Sequence, residues 1–181
     1  FRTTDGGATY GQVAKLTAAD AAAGDYFGYS VAIDGAIVVV GAYRKDSYMG
    51  SVYVFRTTDG GATYVEVAKL TASDASSYDY FGYSVAIAGN TIVIGAYEDD
   101  SDRGAVYVFR TSDGGATYGQ VAKLTASDAY SDDNFGISVA IDRDTIVVGS
   151  YGDDDAGSNS GSAYIFRTSG DRRQHRLPVR C

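Results

Sequence analysis

The sequence consists of three copies of one unit, and this repetition constrains the fold more than any other feature. A phenylalanine–glycine pair recurs at intervals of 54 residues. The pairs are Phe27 and Gly28, Phe81 and Gly82, and Phe135 and Gly136. Repeats of this length are typical of solenoids, propellers and arrays, in which each unit buries its apolar face against the next one.

Each copy contains four strand-like segments. In the second copy they are residues 81–87, 91–97, 105–111 and 117–125. The first segment alternates apolar and small polar side chains, the second is a continuous apolar run, and glycine-containing turns separate them. No 3.6-residue periodicity persists, so we expect an all-β chain.

A four-stranded antiparallel meander that repeats radially is a β-propeller blade. We therefore predict a partial propeller, or a ring that is completed by a second chain. The predicted boundaries are 1–26 (outer strand and linker of a preceding or closing blade), 27–80 (blade 1), 81–134 (blade 2), 135–170 (blade 3, lacking its fourth strand) and 171–181 (a basic, disordered tail). Propellers typically have about four to eight blades, so a longer parent chain or a homo-oligomer is expected to supply more.

The segments FGYSVAI, IVIGAY and GAVYVF resemble the FG-GAP repeat, the blade unit of integrin α-subunit propellers. In integrin-type repeats an Asp-rich loop between the first two strands binds Ca²⁺. Here the corresponding joins, such as Asp34-Gly35, are too short to supply the roughly six to eight oxygen ligands of that ion. The resemblance therefore implies the variant without the calcium loop, which occurs in microbial surface proteins, and an extracellular or cell-surface location.

A second resemblance is to the Asp-box hairpin of sialidase-type propellers. Its aspartates are Asp5, Asp59 and Asp113, and each is followed by glycine, threonine and tyrosine in the family's order. The carboxylate of such a residue accepts backbone N–H groups across the turn. We interpret these hairpins as structural and infer no sialidase activity from them.

Acidic residues alternate in the loops between the second and third strands. They are Glu98, Asp100 and Asp102 in the second copy, and Asp153 and Asp155 in the third. Alternating carboxylates suit a hard cation such as Ca²⁺. The first copy reads Arg44-Lys45-Asp46 at this place, so two interpretations remain open, a solvated loop and a weak calcium site. No other cofactor is expected.

Two roles are open for Tyr26, Tyr29, Tyr43, Tyr48 and their equivalents. They could pack between blades, or they could line a face that binds a protein or stacks on a sugar. The repeats contain no histidine, because the only one is His175 in the tail. A histidine-based triad or histidine-ligated zinc site therefore cannot form in the repeats, and we predict no enzyme activity.

The net charge and the hydropathy of the sequence limit the kinds of partner that we expect. The net charge of −8 repels phosphate backbones, so we expect no nucleic-acid partner. No apolar run is long enough to enter a membrane as a spanning helix. Two functions remain, adhesion or protein interaction through a loop face of the propeller, and carbohydrate binding with one weak site per blade.

Overall fold

The fold is described from a computed structural model that covers residue 9 and residues 11–167. Asp5 and the tail 171–181 lie outside these residues, so the expectations for them stay predictions.

Within residues 11–167, eleven strands form three antiparallel sheets in which sequential strands are neighbours. Blade 1 contains β1 (Ser30–Asp34), β2 (Ile37–Ala42), β3 (Ser51–Arg56) and β4 (Val65–Leu70). Blade 2 contains β5 (Ser84–Ala88), β6 (Thr91–Ala96), β7 (Ala105–Arg110) and β8 (Gly119–Leu124). Blade 3 contains β9 (Ser138–Asp142), β10 (Thr145–Ser150) and β11 (Ser162–Arg167). The prediction of an all-β chain built from blade-like meanders is confirmed.

Two short turns, α1 (Lys45–Tyr48) and α2 (Asp99–Asp102), connect the second and third strands of blades 1 and 2. Neither is an ordinary right-handed helix. The residues 46–48 and 100–102 all have φ between 51° and 66°, in the left-handed region. That region is uncommon for residues other than glycine, and the sequence pattern did not indicate it.

The second strand of blade 2 lies at the centre of the packing. In β6, Ile92, Val93 and Ile94 have no exposed surface. Ile92 and Ile94 pack in the cluster shared with blade 1, whereas Val93 packs in the cluster shared with blade 3. A strand between two neighbouring sheets is buried on both faces, which explains its continuous apolar run.

The phenylalanine–glycine pairs join one blade to the next. Phe81 is fully buried in the cluster between blades 1 and 2. Gly82 has φ +88°, and a Cβ atom there would lie 2.8 Å from the Cγ2 atom of Val52 and 2.9 Å from the carbonyl oxygen of Ser51. Only glycine allows this turn to approach β3 so closely.

The outer strand predicted within residues 1–26 forms no extended strand among the described residues of that range. It lies instead against the open face of blade 1, where Leu16 and Ala18 pack with Val40, Tyr53 and Phe55. Among the described residues no third strand lies beside it to complete a ladder. The segment also does not close blade 3 within the chain, because β11 is the edge of that sheet.

Candidate binding surface

Tyrosines gather at one end of blades 1 and 2, where the first strand begins and the second strand ends. Tyr29 precedes β1 and Tyr43 follows β2, and Tyr83 and Tyr97 have the same places beside β5 and β6. Antiparallel pairing brings these ends to one edge of each sheet. We call the group the tyrosine surface; it contains Tyr26, Tyr29, Tyr43, Tyr48, Tyr78, Tyr80, Tyr83, Tyr97 and Arg44.

The centre of the tyrosine surface crosses the junction between the two blades. The ring centroids of Tyr29 and Tyr43 are 4.5 Å apart, those of Tyr29 and Tyr83 are 4.8 Å apart, and those of Tyr83 and Tyr97 are 4.4 Å apart. The hydroxyls of Tyr29 and Tyr83 share a hydrogen bond at 2.7 Å. Contacts between the blades therefore position the rings.

The rim of this surface contains stacked pairs and one cation. Tyr48 stacks on Tyr78 with 5.0 Å between centroids and an interplanar angle of 11°. The guanidinium carbon of Arg44 lies 4.3 Å from the ring centroid of Tyr26 and 5.5 Å from that of Tyr48. Cation–π attraction at these distances holds the arginine over the aromatic rings.

Exposure separates the roles of the individual tyrosines. Tyr43 is only 7% exposed and packs against the neighbouring rings. Tyr26, Tyr29 and Tyr78 are 51%, 49% and 58% exposed. Packing and an accessible aromatic face are thus both present within one group of side chains.

Several hydroxyls of the tyrosine surface are held in the neutral form. The hydrogen bond between Tyr83 and Tyr29, together with burial, raises the pKa of Tyr83 to about 12. Burial and a hydrogen bond with Glu98 raise the pKa of Tyr97, and burial and the charge of Glu98 raise that of Tyr80. At neutral pH these side chains are therefore uncharged donors and acceptors on aromatic rings.

Four of these tyrosines have an unusual backbone conformation. Tyr26, Tyr48, Tyr78 and Tyr80 have φ values of 56°, 66°, 74° and 55°. Such conformations cost about 1–3 kcal/mol each and persist only where surrounding contacts impose them. One such contact is the hydrogen bond from the backbone N–H of Tyr80 to the carbonyl oxygen of Tyr48, at 3.0 Å.

Blade 3 does not continue the tyrosine surface. Ile137 stands at the position of Tyr29 and Tyr83, and Asn134 at that of Tyr26 and Tyr80. Only Tyr151 remains, 57% exposed. The structure therefore contains one asymmetric surface across blades 1 and 2, and not an equivalent surface on each blade.

The calcium candidates lie in two separate loops. In blade 2, Asp100 pairs with Arg103 at 3.2 Å, and Glu98 and Asp102 flank it in the turn α2. No three acidic, histidine or cysteine side chains of the described residues form a group that could hold a metal ion.

In blade 3, Asp153 is buried and accepts a hydrogen bond from Tyr164. Asp155 is exposed, and its pKa is raised by the negative charges of Asp153 and then Asp128. Calcium binding at the two loops stays a prediction. Calorimetric titration with Ca²⁺ tests it, and a flat trace would remove it.

A partly buried ionic cluster in blade 1 was not predicted from the sequence. The Nζ atom of Lys45 lies 2.9 Å from Asp25, and that of Lys69 lies 2.7 Å from Asp20. The hydroxyl of Tyr53 donates to Asp20 at 2.6 Å. Asp25 also caps a turn, because it accepts the backbone N–H of Ala22 at 2.7 Å, whereas the carboxylate of Asp20 binds side chains.

Blade 2 contains the same cluster with one charge reversed. Asp99 stands at the position of Lys45, and Lys123 binds both Asp74, at 2.7 Å, and Asp99, at 2.9 Å. Asp79, the counterpart of Asp25, is buried, and its pKa is raised mainly by that burial and also by the charge of Asp99. This cluster therefore holds three carboxylates and one lysine.

The aspartates of the Asp-box hairpins organise their own turns. Asp59 accepts hydrogen bonds from the backbone N–H groups of Ala62 and Thr63, both at 2.9 Å, and from the hydroxyls of Thr57 and Thr63. Asp113 makes the corresponding four bonds in blade 2. These bonds hold the pKa of both carboxyls below the usual range.

The stacked meanders, joined through glycine turns at their inner strands, define a propeller-type repeat protein. The profile described as FG-GAP repeat matches residues 10–55, 64–109 and 118–166. The chain belongs to the FG-GAP repeat family.

Among solved structures, the chain is similar to the crystal structure of Saccharomyces cerevisiae Sqt1. The identity is 12%, the TM-score is 0.48, and the match covers 79% of this chain and 33% of that chain. This chain thus corresponds to about a third of that protein's length. Within residues 11–167, no helix has the length and apolar character needed to cross a bilayer.

Proposed function

We propose that the chain is a non-enzymatic interaction module of an extracellular or cell-surface protein, and that the tyrosine surface binds a protein partner. The observation that carries this proposal is the connected group of eight tyrosines around Arg44, with three rings about half exposed. The location rests on the resemblance to microbial surface proteins.

Composition and rigidity support the proposal. Tyrosine and arginine are enriched among the residues that dominate binding energy at protein interfaces. Stacking, the bond between Tyr29 and Tyr83, and the left-handed backbone of Tyr78 restrict these side chains before a partner arrives. Restricting a surface in advance reduces the entropy that is lost on binding.

The test compares two variants in a binding screen against a displayed panel of extracellular proteins. The Tyr29→Ala/Tyr78→Ala variant removes two exposed rings from the tyrosine surface. Tyr130→Ala is the matched control, because this ring is 75% exposed but lies outside the surface. We expect the double variant to weaken binding by at least about tenfold, the effect of losing about 1.4 kcal/mol of binding energy, while the control binds normally. Equal binding by all three proteins would refute the proposal.

Carbohydrate binding is the second candidate, and the open ring of Tyr78 stacked on Tyr48 favours it. Aromatic rings with neutral hydroxyls suit an apolar sugar face together with its polar edge. A glycan array separates the two candidates, since saturable sugar binding that Tyr78→Ala abolishes would favour a lectin. A lectin with one site on every blade would need a tyrosine surface on blade 3 as well. There, Ile137 and Asn134 stand at the positions of Tyr83 and Tyr80.

A further inference from the structure

The two ends of the blade stack expose apolar faces that are covered at the internal junctions. At the first end, Val31 and Ile33 are 65% and 66% exposed. At the last end, Val147 and Ile165 are 38% and 68% exposed, whereas Val108, the counterpart of Ile165 in blade 2, is 6% exposed. Among the described residues, each end thus lacks the neighbouring blade that covers both faces of blade 2.

An unfilled groove lies at the junction between blades 2 and 3. Its volume is about 710 Å³, and Leu124, Ile146 and Phe166 are among its lining residues. At the junction between blades 1 and 2, Tyr118 of the Asp-box hairpin packs at the corresponding place, in the cluster that includes Ile37. Strand β11 borders the groove and is the edge of blade 3 among the described strands.

The residues that follow β11 in the chain do not have the sequence of this hairpin. Residues 168–175 read TSGDRRQH where residues 111–118 read TSDGGATY. Gly115 has φ +88°, and a Cβ atom there would lie 3.0 Å from the Cδ1 atom of Ile37, yet Arg172 occupies its position. A side chain at this glycine position would strain the left-handed turn and crowd Ile37.

The first residues of the chain have the missing sequence. Residues 1–17 and 109–125 differ only at Thr4, whose counterpart is Ser112. In blade 2, residues 119–124 are the fourth strand β8. In the N-terminal segment, Leu16 and Ala18 already pack on the open face of blade 1, as Leu70 and Ala72 pack on blade 2. The segment therefore lies where the outer strand of a preceding blade would lie.

The positions of the charged side chains also match the N-terminal segment to the fourth strand that blade 3 lacks. In blade 2, Lys123 binds Asp74 and Asp99 beside Tyr107. In blade 3, the hydroxyl of Tyr164 likewise contacts Asp128 and Asp153, but no lysine of residues 11–167 pairs with either carboxylate.

The lysine at the matching position of the N-terminal segment is Lys15. It is exposed, and it forms no ion pair with any described residue. Within the described part of the chain, a cation near the N-terminus thus has no ion-pair partner, and the carboxylate cluster of blade 3 has no lysine.

We propose that residues 1–17 of a second copy of this chain pair with β11 as the fourth strand of blade 3. Transferred from blade 2, the register places Ala14 opposite Ile165 and Lys15 opposite Tyr164, as Ala122 pairs with Val108 and Lys123 with Tyr107. The donated tyrosine Tyr10 fills the groove, and Val31 and Ile33 of the donor cover the exposed face of the acceptor blade. Two chains joined in both directions contain six blades, within the usual range of closed propellers.

Cross-linking tests this register directly. Ala14→Cys and Ile165→Cys are introduced together with Cys181→Ser, and the protein is oxidised and run on a non-reducing gel. Cross-strand neighbours have Cβ atoms about 4.5–5.5 Å apart, close enough for a disulfide after a small adjustment. We expect disulfide-linked species of two or more chains. A disulfide that forms within one chain, and so leaves the protein at the monomer mass of 19.0 kDa, overturns the proposal. The absence of any disulfide between the two cysteines also overturns it.

A matched pair controls for cysteine chemistry and folding. Val108→Cys with Ala122→Cys in the same background occupies the equivalent register inside blade 2. It is expected to cross-link within one chain, which shows that the register permits the bond.

Light scattering of the unoxidised chain gives an independent measurement. Lys15→Glu is expected to weaken self-association roughly tenfold, because it places a third negative charge beside Asp128 and Asp153. Arg103→Glu, which changes an exposed cation in the middle blade, is expected to have no effect. Combining Lys15→Glu with Asp128→Lys should restore association. A monomeric parent chain, or equal association constants for all variants, overturns the proposal.

Discussion

Replacing Lys45 by methionine tests the buried ion pair of blade 1. The Lys45 side chain is 7% exposed and that of Asp25 is 12% exposed, with 2.9 Å between the Nζ and Oδ2 atoms. The Nζ atom also donates to the carbonyl oxygen of Asp20 at 2.6 Å. Methionine keeps most of the aliphatic length and removes the charge, so Asp25 remains buried without its cation.

The expected loss follows from this burial. Removing one partner of a buried pair destabilises a protein by about 3–5 kcal/mol. Asp25 retains the N–H group of Ala22 as a hydrogen-bond donor, so we expect the lower value, about 3 kcal/mol. For a chain of this size each kcal/mol lowers Tm by about 2–4 °C, which gives a decrease of about 6–12 °C.

Thermal and urea unfolding, followed by circular dichroism, measure this effect. Lys69→Met is the matched control, because the side chains of Lys69 and Asp20 are 30% and 45% exposed, and a pair this exposed contributes no more than about 1 kcal/mol. Adding Asp25→Asn to Lys45→Met should recover part of the lost stability. Equal losses in the two lysine variants would refute the reasoning, because burial would then make no difference.

Three further predictions concern other parts of the blades. Gly82→Ala should lower the free energy of unfolding by more than about 1 kcal/mol, since a Cβ atom there would lie 2.8 Å from a methyl group of β3; Gly89→Ala, which meets no atom within 4 Å, should cost less in denaturant titrations. Asp113→Ala should lower Tm and increase protease cleavage within its hairpin, and unchanged cleavage would contradict the structural role. Asp79→Asn should raise Tm at pH 7, because the raised pKa means that burial opposes the charged form in the folded state. This gain should disappear as the pH falls through the pKa of Asp79, and a gain independent of pH would exclude charge as its cause.

Local sequence patterns determined the strands and their order. The repeated phenylalanine–glycine pairs, the continuous apolar runs of β2 and β6, and the glycine-containing turns act over a few residues. They follow from side-chain alternation and from the backbone freedom of glycine. For the same reason the central strand could be predicted to be buried on both faces.

The tertiary structure alone decided which side chains meet between the blades. Tyr29 and Tyr83 are 54 residues apart and hydrogen-bonded, and Lys45 reaches Asp25 across 20 residues. Such contacts depend on the stacking angle and register of neighbouring sheets, which no local pattern specifies. The segment 11–18 shows the same limit. Its sequence is that of a fourth strand. A strand needs a neighbouring strand that pairs with its backbone groups, and only the tertiary structure shows whether such a neighbour is present.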